Sequence, residues 1–319
     1  VHEAYEFIYT PPEVPGAEKV VHIAPGMTFD QVARLLEDEN VITDAEKFRL
    51  LGQWKEKLGS IKAGEFRLHT GWEPEKVLVA VTSGKAVMHK FLIPPGLAWW
   101  QVAKLVADTG LTTYDKFTAA AFDKELLAEY HIPWDSPEGF LYPETYFVPR
   151  PRDRAAEPIV RAMFQAFWDQ AGARLWPDAD PSEVPREELE RLVILASMVE
   201  KETGDPSERA RIAGVYANRL KRRMLMQCDP TVIYGLGREF GGNLKRSHLR
   251  DKSNPYNTYV RIGLPPGPIC SPGLEALAAA KDPEEHSYLY FVSKGDGSHY
   301  FSRNLAEHNR AVRKYQLKR

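Results

Sequence analysis

The 319-residue sequence predicts an α+β fold, with a small α+β lobe in front of a mostly helical lobe that carries short β-hairpins. Three observations predict it. An apolar strand, a Pro-Gly turn and an amphipathic helix occur twice near the start; beyond about residue 155 the pattern turns to helical periods; and near the end an apolar run meets a Gly-rich turn. Hydrophobic residues make up 43% and aromatic residues 11%, enough for one large or two to three small cores.

Taken in order, residues 1–19 read as a linker or juxtamembrane segment. Ile23-Ala24-Pro25-Gly26 followed by Gln31-Val32-Ala33-Arg34-Leu35 then recurs, 70 positions on, as Ile93-Pro94-Pro95-Gly96 followed by Gln101-Val102-Ala103-Lys104-Leu105. Each copy predicts a strand, a turn and a helix, whose apolar face is Val32, Leu35 and Leu36 in one and Val102, Leu105 and Val106 in the other. A second short helix follows around Phe48 and Phe117. Residues 63–68 read as a returning strand, and residues 74–83 as a helix stopped by Gly84. Residues 20–92 therefore form a small module with a two-stranded sheet, either a spacer or a lobe that grips an extended polymer. Residues 93–319 follow as the chemistry-bearing region, with a connecting sub-lobe at 93–150 and a main lobe at 151–319. Residues 135–149, dense in proline, glycine and aromatics, predict an ordered loop. Helices are expected at 158–171, 187–203 and 207–223. Gly295-Asp296-Gly297-Ser298-His299, between Tyr288–Val292 and Tyr300-Phe301, reads as a hairpin turn rather than a phosphate loop or a serine–histidine pair.

Composition excludes several function classes. With 42 basic against 44 acidic residues and a net charge of -2, no general positive field favours nucleic acid. The two cysteines, Cys228 and Cys270, lie far apart with no histidine at ligand spacing, so neither a disulfide framework, a metal nor a cofactor is expected. No apolar run of about 18 residues spans a membrane. The chain begins with valine, and a signal or anchor segment ahead of it is expected to have been removed.

At 100° per residue, Leu189, Leu192, Val193, Ala196 and Val199 form one stripe, and Glu200 falls inside it while Lys201 and Glu202 project elsewhere. A carboxylate aimed at the interior is costly, and burial suits it to donating a proton. The alternative is that Glu200 pairs with Arg209 or Arg219, or caps a neighbouring helix. Asp205-Pro206-Ser207-Glu208 is a strong helix start, so Glu200 stands at a helix end beside a turn where a cleft can open. Three loops follow, 227–235, 254–259 and 263–269, which set tyrosines beside Gln227, Asp229, Asn254, Asn257 and Thr258. Apolar faces beside directional hydrogen-bonding groups are what sugar rings need, and the same loops also read singly as proline-braced connections. No Gly-x-Ser-x-Gly elbow, phosphate loop or His-Glu-x-x-His helix is present.

Several segments together resemble one family. Glu138-Gly139-Phe140-Leu141-Tyr142-Pro143-Glu144-Thr145-Tyr146, the run Ala196 to Thr203, Asp229 to Gly235, Tyr256-Asn257-Thr258-Tyr259 with Gly263 to Gly267, and Tyr288 to Val292 through His299 to His308-Asn309 are similar to the YceG-like (MltG) endolytic murein transglycosylases. The resemblance runs from about residue 20 to the end. It implies a membrane-anchored bacterial enzyme, the chain lying on the extracytoplasmic side, with a LysM-like lobe at 20–92 and a catalytic lobe that cuts nascent peptidoglycan strands internally. It implies peptidoglycan as substrate, cell-wall synthases as partners, and the first glutamate of Val-Glu-Lys-Glu-Thr, Glu200, as catalytic residue. Glu138, Tyr142, Gln227, Asp229, Tyr256, Asn257 and Thr258 are expected to bind the sugar. In the expected chemistry Glu200 protonates the MurNAc–GlcNAc oxygen and then accepts the proton of the muramyl C6 hydroxyl, which closes a 1,6-anhydro ring. A lysozyme-like hydrolase would instead need a second carboxylate, for which Glu138 and Asp229 are the candidates. A third alternative is a non-catalytic peptidoglycan-binding scaffold, and Cys228 carries no assigned role.

Overall fold

A computed structural model describes residues 2–317, which divide into two compact units. The first takes the chain up to Phe91 together with Tyr146–Ala155; the second takes Leu92–Thr145 and Ala156 onward.

In the first unit, helix α1 (His2–Tyr9) precedes strand β1 (Glu18–Ile23), α2 (Phe29–Asp38), α3 (Ala45–Trp54), β2 (Gly64–His69), α4 (Pro74–Ser83) and β3 (Met88–Leu92). β1 and β2 pair antiparallel, with Val21 opposite Phe66 and Lys19 opposite Leu68, which turns Val21, Ile23, Phe66 and Leu68 into one core with Val32, Leu36, Phe48 and Val77. Phe7 of α1 joins that core. The predicted two-stranded sheet is thus present, and β3 pairs with a further strand, β4 (Thr145–Pro149), which occupies the end of the segment expected to be a loop. Tyr146 and Val148 are buried there, and their alternation with exposed Phe147 and Pro149 is the period of two that a half-buried strand requires.

The internal repeat is real in three dimensions. α5 (Trp99–Asp108) matches α2 residue for residue at the offset of 70, and both begin in the same way, Gln31 and Gln101 accepting the backbone N–H of Thr28 and Ala98. Thr28 adds a hydroxyl cap to Gln31 N; Ala98 cannot, so the second copy keeps only half of the capping box.

The second unit continues through α6 (Tyr114–Ala121), α7 (Lys124–Glu129) and α8 (Glu157–Ala166), which passes through a π turn (Phe167–Gly172) into a last short turn, α9 (Ala173–Leu175). Its axis is α10 (Arg186–Glu202), packed on α11 (Arg209–Lys221) and α14 (Leu274–Lys281). Every residue from Leu192 to Val199 is buried. A helix covered on all sides has no single inward stripe. Each fully buried Leu, Ile, Val or Met there contributes about 1.5–3 kcal/mol of transfer free energy, which makes α10 the fixed frame for whatever its last turn carries. Gly139 marks how closely the frame is wrapped: it adopts φ +88, and a Cβ there would stand 2.5 Å from Val193. The unit is completed by α12 (Asp229–Gly235), α13 (Arg246–Arg250), the antiparallel hairpin β5 (Tyr290–Ser293) and β6 (His299–Ser302), and α15 (Leu305–Tyr315), which packs on both hairpin strands. Residues 229–235, expected as loop, are helical because Pro230 sits in the first turn, where its missing N–H costs nothing.

Candidate active site

Two glutamates leave the end of α10 in different directions. Glu200 points at the segment before α14, where the backbone N–H of Gly273 donates to its Oε2 at 2.9 Å and Arg209 lies 3.5 Å from Oε1. Its side chain is 7% exposed. One alternative foreseen from sequence, the pairing with Arg209, is therefore the contact observed. Lys201 is tied back as well, donating to Gly96 O at 3.1 Å. Both contacts hold α10 to its surroundings.

Glu202 takes the other direction. It lines an open groove of about 860 Å³ together with Gln227, Asp229, Tyr259, Tyr290, His299 and His308, a size typical of ligand clefts, which run from about 300 to 1,000 Å³. The phenol of Tyr216, wholly buried on α11, donates to Glu202 Oε1 at 2.7 Å, and the thiol of Cys228 adjoins it. Burial pushes the Glu202 carboxyl up, against the opposing pull of Tyr216 and Cys228. A carboxyl at the C-terminal end of a helix gains nothing from the helix dipole, so the position itself favours the protonated form.

The walls are held by polar brackets. Gln227 adopts a left-handed φ of 51, with its N–H bonded to Thr258 O at 3.1 Å. That conformation costs about 1 kcal/mol outside glycine, and it turns the exposed amide side chain toward the groove. Asp229 accepts from Tyr259 at 2.5 Å. Arg219, buried on α11, donates from Nε to Leu289 O and from Nη1 to Leu225 O and Met226 O, and its guanidinium lies 5.1 Å from the Tyr290 ring centre. His308 of α15 stacks on the Tyr290 ring at 5.2 Å, and burial followed by the Arg219 charge pushes its pKa down. The result is a cleft with tyrosine faces, amide and carboxylate acceptors, and one half-buried acid.

Of the sequence-predicted site residues, the groove gathers Gln227 and Asp229. Asn257 and Thr258 are buried and engaged elsewhere, Asn257 donating to His248 O and Asp251 O, Thr258 accepting from Cys228 N and bonding Thr231. Tyr256 packs against Tyr234, and Tyr142 is buried beside Phe167. Glu138 is 2% exposed, takes the Trp99 N–H on Oε2 at 3.1 Å, and leaves Oε1 without a hydrogen-bond partner among the described residues. Burial raises its pKa to about 8. Neither Glu138 nor Glu200 lines the groove. Sequence reasoning passes over Glu202, His299 and His308; the signal for the histidines lies in the last segment of the family resemblance, and Glu202 is masked by the single-stripe view of α10. No group of three or more metal-ligating side chains occurs among the described residues.

The second unit carries an open, tyrosine-lined groove around one half-buried acid, and the chain belongs to the YceG-like family, which it matches over residues 21–314. It is 30% identical to the endolytic murein transglycosylase of Bacillus subtilis over 92% of this chain and 84% of that protein. It is 26% identical to the proteins of the same name from two strains of Streptococcus pneumoniae, over 92% of this chain but only 57% of theirs. The crystal structure of a YceG-like protein from Listeria monocytogenes, 30% identical, superposes with a TM-score of 0.60 over 92% of this chain and 98% of that one.

Proposed function

We propose that the protein is a lytic murein transglycosylase that cuts peptidoglycan glycan strands internally, and that Glu202 rather than Glu200 is its acid. The observation that carries the assignment is that Glu202 is the carboxyl that combines partial burial, a raised pKa and a place on the groove. In this chemistry Glu202 protonates the oxygen between MurNAc and GlcNAc as that bond lengthens through an oxocarbenium-like state. The muramyl C6 hydroxyl then attacks the anomeric carbon and leaves a 1,6-anhydro-MurNAc end. Tyr259 offers a ring face to the sugars, and Gln227 and Asp229 offer hydrogen bonds.

The proposal extends to an enzyme anchored in the bacterial membrane and working outside the cytoplasm beside cell-wall synthases, with the β1–α2–α3–β2 module as a LysM-like lobe. No helix among the described residues is long and apolar enough to cross a membrane. Asp229 in the groove favours one rival, a hydrolase with a second carboxylate.

Digestion of purified uncross-linked strands, followed by mass spectrometry of the new ends, separates the readings. Anhydro ends are expected from the parent, and reducing ends in their place would identify a hydrolase. Glu202→Gln keeps the bond from Tyr216 and removes the proton, so turnover is expected to fall by at least about 100-fold, while Glu200→Gln falls far less. The opposite ranking of the two variants would return the acid role to Glu200.

A further inference from the structure

A histidine held by a carboxylate lines the same groove as Glu202. His299 opens β6 and lines the groove, and both its backbone N–H and its ring Nδ1 are held by the two carboxylate oxygens of Glu208, at 2.9 Å and 2.7 Å. Glu208 is buried in the turn before α11, so the clamp is anchored in the frame. Phe291 and Phe301 meet the imidazole at steep angles from β5 and β6 and fix its plane. A carboxylate on Nδ1 can only accept, so Nδ1 carries a proton and Nε2 is left as the free nitrogen. No hydrogen bond to Nε2 is present among the described residues. This is the arrangement that orients a histidine base in nucleophile-activating sites, where one ring nitrogen is held by a carboxylate so that the other is presented to the reacting hydroxyl.

We propose that His299, oriented by Glu208, is the base of the reaction: it accepts the proton of the muramyl C6 hydroxyl while Glu202 supplies the proton received by the departing sugar. The inference rests on the transglycosylase reading above and divides between two side chains what a single carboxyl was expected to do alone. Atoms and charges balance. The Glu202 proton goes to the GlcNAc oxygen, whose bond to the muramyl anomeric carbon breaks with its electron pair. The C6 oxygen bonds that carbon and its proton passes to Nε2. Glu202 ends as carboxylate and His299 as imidazolium, and solvent returns one proton from the second to the first. The two groups are near enough for their charges to interact, so each product charge stabilises the other. Glu208 holds the ring at Nδ1, and Asp205 lies close enough for its charge to interact with His299.

The test uses the whole chain on purified uncross-linked glycan strands, with turnover and end-group masses read together. His299→Gln can still donate to Glu208 but has no basic nitrogen. Its kcat is expected to fall about 100-fold, and the anhydro share of the ends to drop as water replaces the C6 hydroxyl. A kcat within threefold of the parent, or a lowered kcat with the parent's anhydro share, would overturn the assignment. Where thermal unfolding shows that His299→Gln does not fold, Glu208→Gln, which leaves the imidazole in place, is judged on the same two measurements. Absence of anhydro ends from the parent itself would refute the transglycosylase reading and not the choice of base.

Discussion

Glu138 shows how a single side chain can set the pH response of the fold. Its carboxyl is sealed off and raised from an ordinary 4.5 to about 8, first by burial, with the Trp99 N–H and Tyr234 opposing. The folded state therefore binds a proton that the unfolded chain releases near 4.5, and stability falls as pH rises between these values. The slope tends to about 1.4 kcal/mol for each tenfold drop in proton concentration, because one bound proton separates the two states. Urea midpoints of the parent are expected to drop between about pH 5.5 and 7.5. Glu138→Gln keeps an acceptor for Trp99 and carries no charge, so it is expected to be the more stable of the two at the upper end of that range and to lose this part of the slope. Equal slopes in parent and variant would mean that Glu138 is already ionised in the folded protein.

At the scale of elements, one carboxylate ties three chain segments of the first unit. Glu65 on β2 meets His89 of β3 at 2.5 Å and Arg150, just past β4, at 2.6 Å. Burial alone would raise its pKa, yet His89 and Arg150 hold it below the ordinary range. The stabilisation is accordingly present above the unfolded carboxyl pKa and lost as pH falls through the lowered folded one. Glu65→Gln is expected to cost about 1–3 kcal/mol at neutral pH, less in strong acid, and to speed hydrogen exchange in β3 and β4 while α10 stays protected. Unchanged exchange in those strands would show that the pairing does not depend on the ion cluster. Much at this scale was legible in advance, because a Pro-Gly turn followed by apolar residues at helical spacing has few other outcomes; hence α2, α5 and the β1–β2 sheet. The Glu65 cluster was not, since its partners lie far along the chain. Nor was the direction of Glu202, because periodicity marks one face of a helix and α10 is buried on all of them. The β5–β6 hairpin was read from its turn, but a turn says nothing of what its flanking histidine touches.

At the scale of the molecule, the repeat invites a boundary at residue 92, and the connectivity contradicts its simplicity. The chain leaves the first unit after Phe91, re-enters it at Tyr146 and leaves again after Ala155. Three crossings mean that neither unit is a continuous piece of sequence. β4 needs β3 as its hydrogen-bonding partner, and Phe91 stacks on Tyr146 at 5.4 Å. A chain shortened to residues 93–319 would retain the whole of α10 and the groove. It would also carry an unpaired strand whose Tyr146 and Val148, now buried, face solvent. Each exposed side chain forfeits about 1.5–3 kcal/mol, and an uncovered apolar strand edge recruits copies of itself. The shortened chain is therefore expected to elute by size exclusion as species larger than its own mass, at the same concentration at which the full chain runs smaller. Substituting Tyr146 and Val148 by Thr in the shortened chain should reduce that association, because it removes the apolar face and leaves the groove untouched. A monodisperse 93–319 chain with the unfolding temperature of the full protein would show instead that the second unit folds without its borrowed strand.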